Sequence, residues 1–139
     1  EGPWPPWFSS LTLMFQKEVA DRIAAAPGSE HYGRLTVLCQ WRCTVHKMFD
    51  VHRSAFTPPP KVTSSIVQLL PIVPAIACNV KTLERVTAAA FGQRRKMLRQ
   101  SLKSVFDVPE AVLEPLGIAP TARAEELTVA DFARLALQV

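Results

Sequence analysis

The sequence predicts an incomplete α/β layer followed by a small all-α unit. Ser9–Phe15 is a short apolar run that passes directly into an amphipathic helical pattern, which is half of a βαβ unit. Thr63–Leu70 alternates with β-branched residues behind a proline-rich connector, the pattern of a strand. Beyond Pro71-Ile72-Val73-Pro74 no strand pattern occurs and every signal is helical. The boundary is therefore expected near Ala75, with residues 1–75 the α/β part and residues 76–139 the helical part.

The opening Glu1–Trp7 is rich in proline and tryptophan and is not expected to be regular structure before Phe8. Ser9–Phe15 reads as a buried strand, and the polar triplet Gln16-Lys17-Glu18 turns it into a helix carrying Val19, Ala20, Ile23 and Ala24. Pro27-Gly28 stops that helix. After a polar turn, Leu35–Cys43 is ambiguous in pattern and is expected to be a helix with Leu35, Leu38, Cys39 and Arg42 on one side. Thr44–Val51 alternates, placing Val45, Lys47, Phe49 and Val51 on one side of a strand. The short connector before the Thr63–Leu70 strand implies antiparallel neighbours, an antiparallel edge on an otherwise parallel sheet. With about three strands where sheets usually carry four to six, the chain is expected to be the second part of something longer.

In the helical part, Asn79 is suited to cap a helix bearing Leu83, Val86, Ala89 and Ala90. A second helix is expected over Arg94–Phe106, and a further start at Pro109. Thr128-Val129-Ala130-Asp131 has capping-box spacing ahead of Phe132, Leu135 and Leu137.

The 139 residues are 48% hydrophobic and 20% charged, a folding composition rather than a disordered one. The net charge of +4 mildly favours an anionic partner. Three cysteines set no disulfide framework and point to a reducing compartment. Cys39, Cys43 and His46 lack an evident fourth ligand, so no metal is expected. His31, His46 and His52 are scattered, with no nucleophile partner implied. No apolar run is long enough for a membrane span and no signal-peptide pattern opens the chain. A cytoplasmic, membrane-free protein is expected.

Two stretches carry chemistry. In Phe56-Thr57-Pro58-Pro59-Pro60-Lys61-Val62-Thr63-Ser64-Ser65 the prolines fix φ and remove donors, so a stiff connector holds one aromatic ring next to a strand. Phe56 either packs into the core or stands as a stacking wall. In Phe91–Phe106, Phe91, Leu98, Leu102 and Val105 share one helical face, while Arg95, Lys96, Arg99 and Lys103 gather opposite and Arg94 lies nearer the seam. No acidic residue interrupts this stretch. It is either a solvated face or a grip for phosphates.

Taken together, these motifs resemble the ribosomal RNA adenine dimethyltransferases, the group that includes the enzyme behind kasugamycin sensitivity. Phe56-x-Pro58-x-Pro60-x-Val62-x-Ser64 resembles the family's loop beside the target base. Leu13–Arg22, Pro27–Leu35 and Ala90–Arg99 match further segments in the same order. The resemblance implies the C-terminal portion of a Rossmann-like methyltransferase sheet with a helical RNA-binding domain. It also implies an S-adenosyl-L-methionine-dependent parent enzyme that dimethylates N6 of two adjacent adenosines. The implied partner is small-subunit ribosomal RNA in the pre-30S particle, with the protein acting as a monomer.

Under this resemblance Phe56 stacks on the target adenine, steadied by Pro58, Pro59 and Pro60. Lys61, Arg94, Arg95, Lys96, Arg99 and Lys103 are the RNA-binding candidates. The family's glycine-rich cofactor turn, its ribose-binding acid and its Asn-Leu-Pro-Tyr tetrapeptide do not occur here. No cofactor-binding or catalytic residue is therefore assigned in this chain, and the 139 residues alone are expected to be inactive. The alternatives are a non-catalytic RNA-binding or ribosome-assembly factor on the same scaffold, or an unrelated module that pairs with a protein through Trp4 and Trp7.

Overall fold

A computed structural model describes residues 9–58 and 61–139. The Trp4/Trp7 segment, Pro59 and Pro60 lie outside the described residues. Strand β1 (Leu11–Gln16) runs without a break into helix α1 (Lys17–Ile23), followed by α2 (Arg34–Arg42), β2 (Cys43–Val51) and β3 (Ser64–Pro71). Then come α3 (Val80–Gly92), α4 (Leu98–Ser101), α5 (Pro109–Leu113) and α6 (Val129–Ala136). The sequence-based order of elements holds, as does the α/β-then-helical succession.

The sheet order is β1-β3-β2, and both pairings are antiparallel. This corrects the expected antiparallel edge: β3 is the central strand of the described sheet. The α1–α2 crossover carries the chain past one strand position, and β3 folds back from β2 to fill it. Leu13 and Lys47 flank Val67 on one face. α1 covers that face, with Asp21 reaching Lys47, and Val67 and Ser65 are fully buried. On the opposite face, Met14 and Phe49 flank Ile66, and Phe49 is 59% exposed.

The register of β2 shifts at Met48: Lys47 lies opposite Val67, yet Phe49 lies opposite Ile66. This bulge divides the expected side of the strand. Val45 and Lys47 stay on the helix-covered face, whereas Phe49 and Val51 turn to the other. The buried side of α2 also differs from expectation. Thr36, Val37 and Trp41 are buried, and Leu35 is exposed. α2 is wedged between sheet and helices, so it buries the residues that meet α3 and α6 rather than one simple stripe.

The expected long helix over Arg94–Phe106 is broken. Gln93–Lys96 form a turn, and helix resumes only at Leu98. The N–H groups of Leu98 and Arg99, which no preceding turn of helix satisfies, donate to Ala122 O at 2.8 Å and Pro120 O at 3.1 Å. Tertiary carbonyls thus replace the missing helical ones. Asn79 caps α3 by accepting from Lys81 N at 2.8 Å, and Thr128 and Asp131 form the expected capping box.

The main hydrophobic core does not follow the boundary at Ala75. Tyr32, Val37 and Trp41 pack in one cluster with Leu83, Val86, Leu98, Phe132 and Leu135. Trp41 Nε1 donates to Ile76 O at 2.9 Å, and Gly28 N (φ 87°) donates to Glu125 O at 2.7 Å.

Candidate nucleic-acid interface

The loop from β2 to β3 leaves at the Val51–Ser64 pair. A single 3-10 turn, Arg53–Ala55, starts it, with His52 Nδ1 accepting from Ser54 N at 3.1 Å. The Arg53 guanidinium donates across the loop to Lys61 O at 3.4 Å. Phe56 is half-buried and ends this turn, Pro58 follows a cis peptide, and Pro58 and Lys61 are exposed. The exit of the loop is tied to α1, because Lys17 N donates to Thr63 O at 2.8 Å.

An ion network supports the feet of this loop. Lys47 Nζ lies 2.9 Å from Asp21 Oδ1 and 3.1 Å from Asp50 Oδ1, Lys17 Nζ lies 2.9 Å from Asp21 Oδ2, and Ser65 Oγ donates to Asp50 Oδ1 at 2.6 Å. Hydrogen bonds from Lys47, then Lys17, hold the Asp21 carboxyl below its usual range, and the same network raises Lys47.

The basic stretch divides at the turn. Arg94 is engaged inside the fold: Nη1 donates to Tyr32 O, Nη2 to Ser29 O at 3.1 Å, and Nε faces Glu125 Oε2 at 3.0 Å. Arg95, Lys96, Arg99 and Lys103 are exposed and have no ion-pair partner among the described residues. The structure therefore separates Arg94, which anchors the turn to the α1–α2 loop, from four cations left to solvent.

One cleft lies at the exit of the loop and another beside the turn. One, of about 340 Å³, is lined by Lys17, Val62, Thr63 and His31. The other, of about 490 Å³, is lined by His31, Arg34, Leu38 and Arg94. Both are lined in part by His31. Arg34 was missed by sequence reasoning, since only the tertiary path of the α1–α2 loop brings it beside Arg94.

Burial raises the thiol pKa values of Cys39, Cys43 and Cys78, which disfavours the metal-binding thiolate. No group of three potential ligands is placed to hold a metal among the described residues, and no described helix is long and apolar enough to cross a membrane. β1 passes into α1 at Lys17 with no glycine between them, unlike the glycine-rich strand-to-helix turns that cradle nucleotides.

The described residues thus combine a three-stranded antiparallel sheet, a crossover helix pair and a helical layer that bears exposed cations. The family model for ribosomal RNA adenine dimethylase matches residues 6–139. A ribosomal RNA small subunit methyltransferase A from Xanthobacter autotrophicus is 64% identical over 134 residues, covering 96% of this chain and 46% of that protein. The Azorhizobium caulinodans protein of the same name is 62% identical over 134 residues, with the same coverage. The crystal structure of a dimethyladenosine transferase from Plasmodium falciparum superposes with a TM-score of 0.84 at 32% identity, covering 96% of this chain and 58% of that one. A structure of the 23S rRNA methyltransferase ErmE, at 23% identity and TM-score 0.61 over 97% of this chain and 56% of that one, shares the fold. This chain belongs to the ribosomal RNA adenine dimethylase family. It spans under half the length of the curated relatives it matches.

Proposed function

We propose that this chain is the RNA-gripping and target-base-facing part of an S-adenosylmethionine-dependent rRNA adenine N6,N6-dimethyltransferase acting on two adjacent adenosines of small-subunit rRNA. What carries this reading is the family match over residues 6–139, which takes in the Phe56 loop and the basic turn together. The methyl donor is held by polypeptide beyond these residues, so the 139 residues alone transfer no methyl group. Phe56 supplies one stacking wall for an adenine drawn out of its stack. Arg95, Lys96, Arg99 and Lys103 hold phosphates by charge, releasing counterions. Lys61 adds a cation on the loop itself. The amine that accepts the methyl group is a poor nucleophile because its lone pair is delocalised, so fixed placement of the base is the main service these residues give.

The test uses the complete gene product with small subunits whose rRNA lacks dimethyladenosine. The unsubstituted protein transfers methyl groups to adjacent adenosines. F56A lowers transfer by an amount matching about 1–3 kcal/mol of lost stacking. R95A/K96A/R99A weakens RNA binding and reduces the salt slope by about one for each phosphate no longer held. RNA binding without any methyl transfer overturns the enzyme reading in favour of a non-catalytic assembly factor. Binding that is insensitive to salt and to the triple substitution overturns the role given to the turn.

A further inference from the structure

Lys47 and Asp50 stand an odd number of positions apart, so a regular strand would place them on opposite faces of the sheet. The bulge at Met48 turns Asp50 back to the face of Lys47, opposite Ser65. The result is one continuous chain of contacts from α1 (Asp21) through β2 (Lys47, Asp50) to the fully buried Ser65 of β3. The Asp50–Ser65 pair is the rung immediately below Val51–Ser64, from which the Phe56 loop departs and to which it returns. The other attachment of the loop, Thr63 O, is held by the backbone N–H of Lys17, whose ammonium also binds Asp21. One turn of α1 thus grips both feet of the loop.

We propose that the Asp21–Lys47–Asp50–Ser65 chain, made possible by the Met48 bulge, sets the position of the Phe56 loop, with Lys47 and Asp50 as positioning residues for the methyl-accepting base. This rests on the reading of Phe56 as a wall of the target site. An isolated exposed ion pair does little for a fold. Here one ammonium serves two carboxylates, a buried hydroxyl holds one of them, and a strand irregularity aims the set at a single loop. The carboxyls of Asp21 and Asp50 are both held below their usual range, so the clamp stays ionised throughout the neutral pH range.

The experiment compares the complete gene product with its K47M, D50N and K47R variants, by amide hydrogen exchange over residues 52–63 and by steady-state methylation of small subunits. K47M and D50N are expected to accelerate exchange in residues 52–63. They lower kcat by on the order of tenfold, since displacement of a reacting group by an ångström is costly, with KM for the subunit within about twofold. K47R restores most of both. Unchanged exchange overturns the proposal, as does faster exchange with unchanged kcat. A rise in KM at constant kcat also overturns it, because the residues would then be gripping RNA. If the unsubstituted product transfers no methyl group, the functional reading fails on its own, and exchange over residues 52–63 still decides the clamp.

Discussion

Arg94 and Arg95 are adjacent and chemically identical, yet the fold uses them for opposite purposes. The Arg94 guanidinium is divided among the Tyr32 and Ser29 carbonyls and the Glu125 carboxylate, while Arg95 faces solvent. Replacing Arg94 leaves the Tyr32 carbonyl and the Glu125 carboxylate without this donor, while the Ser29 carbonyl keeps only the N–H of Tyr32 at 3.2 Å. R94A is expected to destabilise the protein by about 1–3 kcal/mol, allowing for the screening of a one-third-exposed side chain. R95A should stay within about 0.5 kcal/mol in stability and act on RNA binding alone. Urea denaturation beside RNA titration separates the two, and equal stabilities would refute the anchoring role. The neighbouring Tyr32 hydroxyl is buried without a hydrogen-bond partner among the described residues, and burial raises its pKa above that of an ordinary phenol, so it stays neutral.

At the scale of elements, the fold departs from regularity at two points that reorient charged side chains. The break between α3 and α4 presents Arg95 and Lys96 on a turn instead of a stripe, and the carbonyls of Pro120 and Ala122 offset the loss of helical hydrogen bonds there. The bulge in β2 turns Asp50 toward Lys47. The regular elements, by contrast, rest on local signals. Asn79 satisfies two N–H groups at the start of α3, at 2.8 and 3.4 Å. N79A is expected to cost about 1 kcal/mol in thermal or chemical denaturation, and N79G only a few tenths. Equal costs for the two variants would show that the side-chain cap is not what starts this helix.

For the molecule as a whole, α2 decides how the parts are joined. Trp41 belongs to the core cluster of the helical layer and donates to Ile76 O, while Gln40 on the same helix donates to Ile23 O and Ala25 O, both at 2.9 Å. The sheet side and the helical side are therefore expected to unfold together. W41A should remove about 3–5 kcal/mol and lower both in one transition, followed by amide exchange in β3 and in α6. Loss of protection in α6 alone would mean that the two sides are energetically separate.

Local sequence was enough to establish the order of elements, the cap of α3, the box of α6 and the family. Those depend on neighbours a few residues apart, such as Thr128 with Asp131, or on a motif such as Phe56-x-Pro58-x-Pro60. The central place of β3, the buried side of α2, the engagement of Arg94 beside a solvent-facing Arg95, and the Asp21–Lys47–Asp50–Ser65 contacts beneath the Phe56 loop came from the folded chain instead. Each depends on groups far apart in sequence: Arg94 meets the Tyr32 carbonyl, and Asp21 meets Lys47. The charge pattern of Arg94–Lys103 reads as one helical face because helical periodicity counts only local spacing. Carbonyls from Pro120 and Ala122 satisfy the freed N–H groups and let the helix break where the pattern alone would continue it.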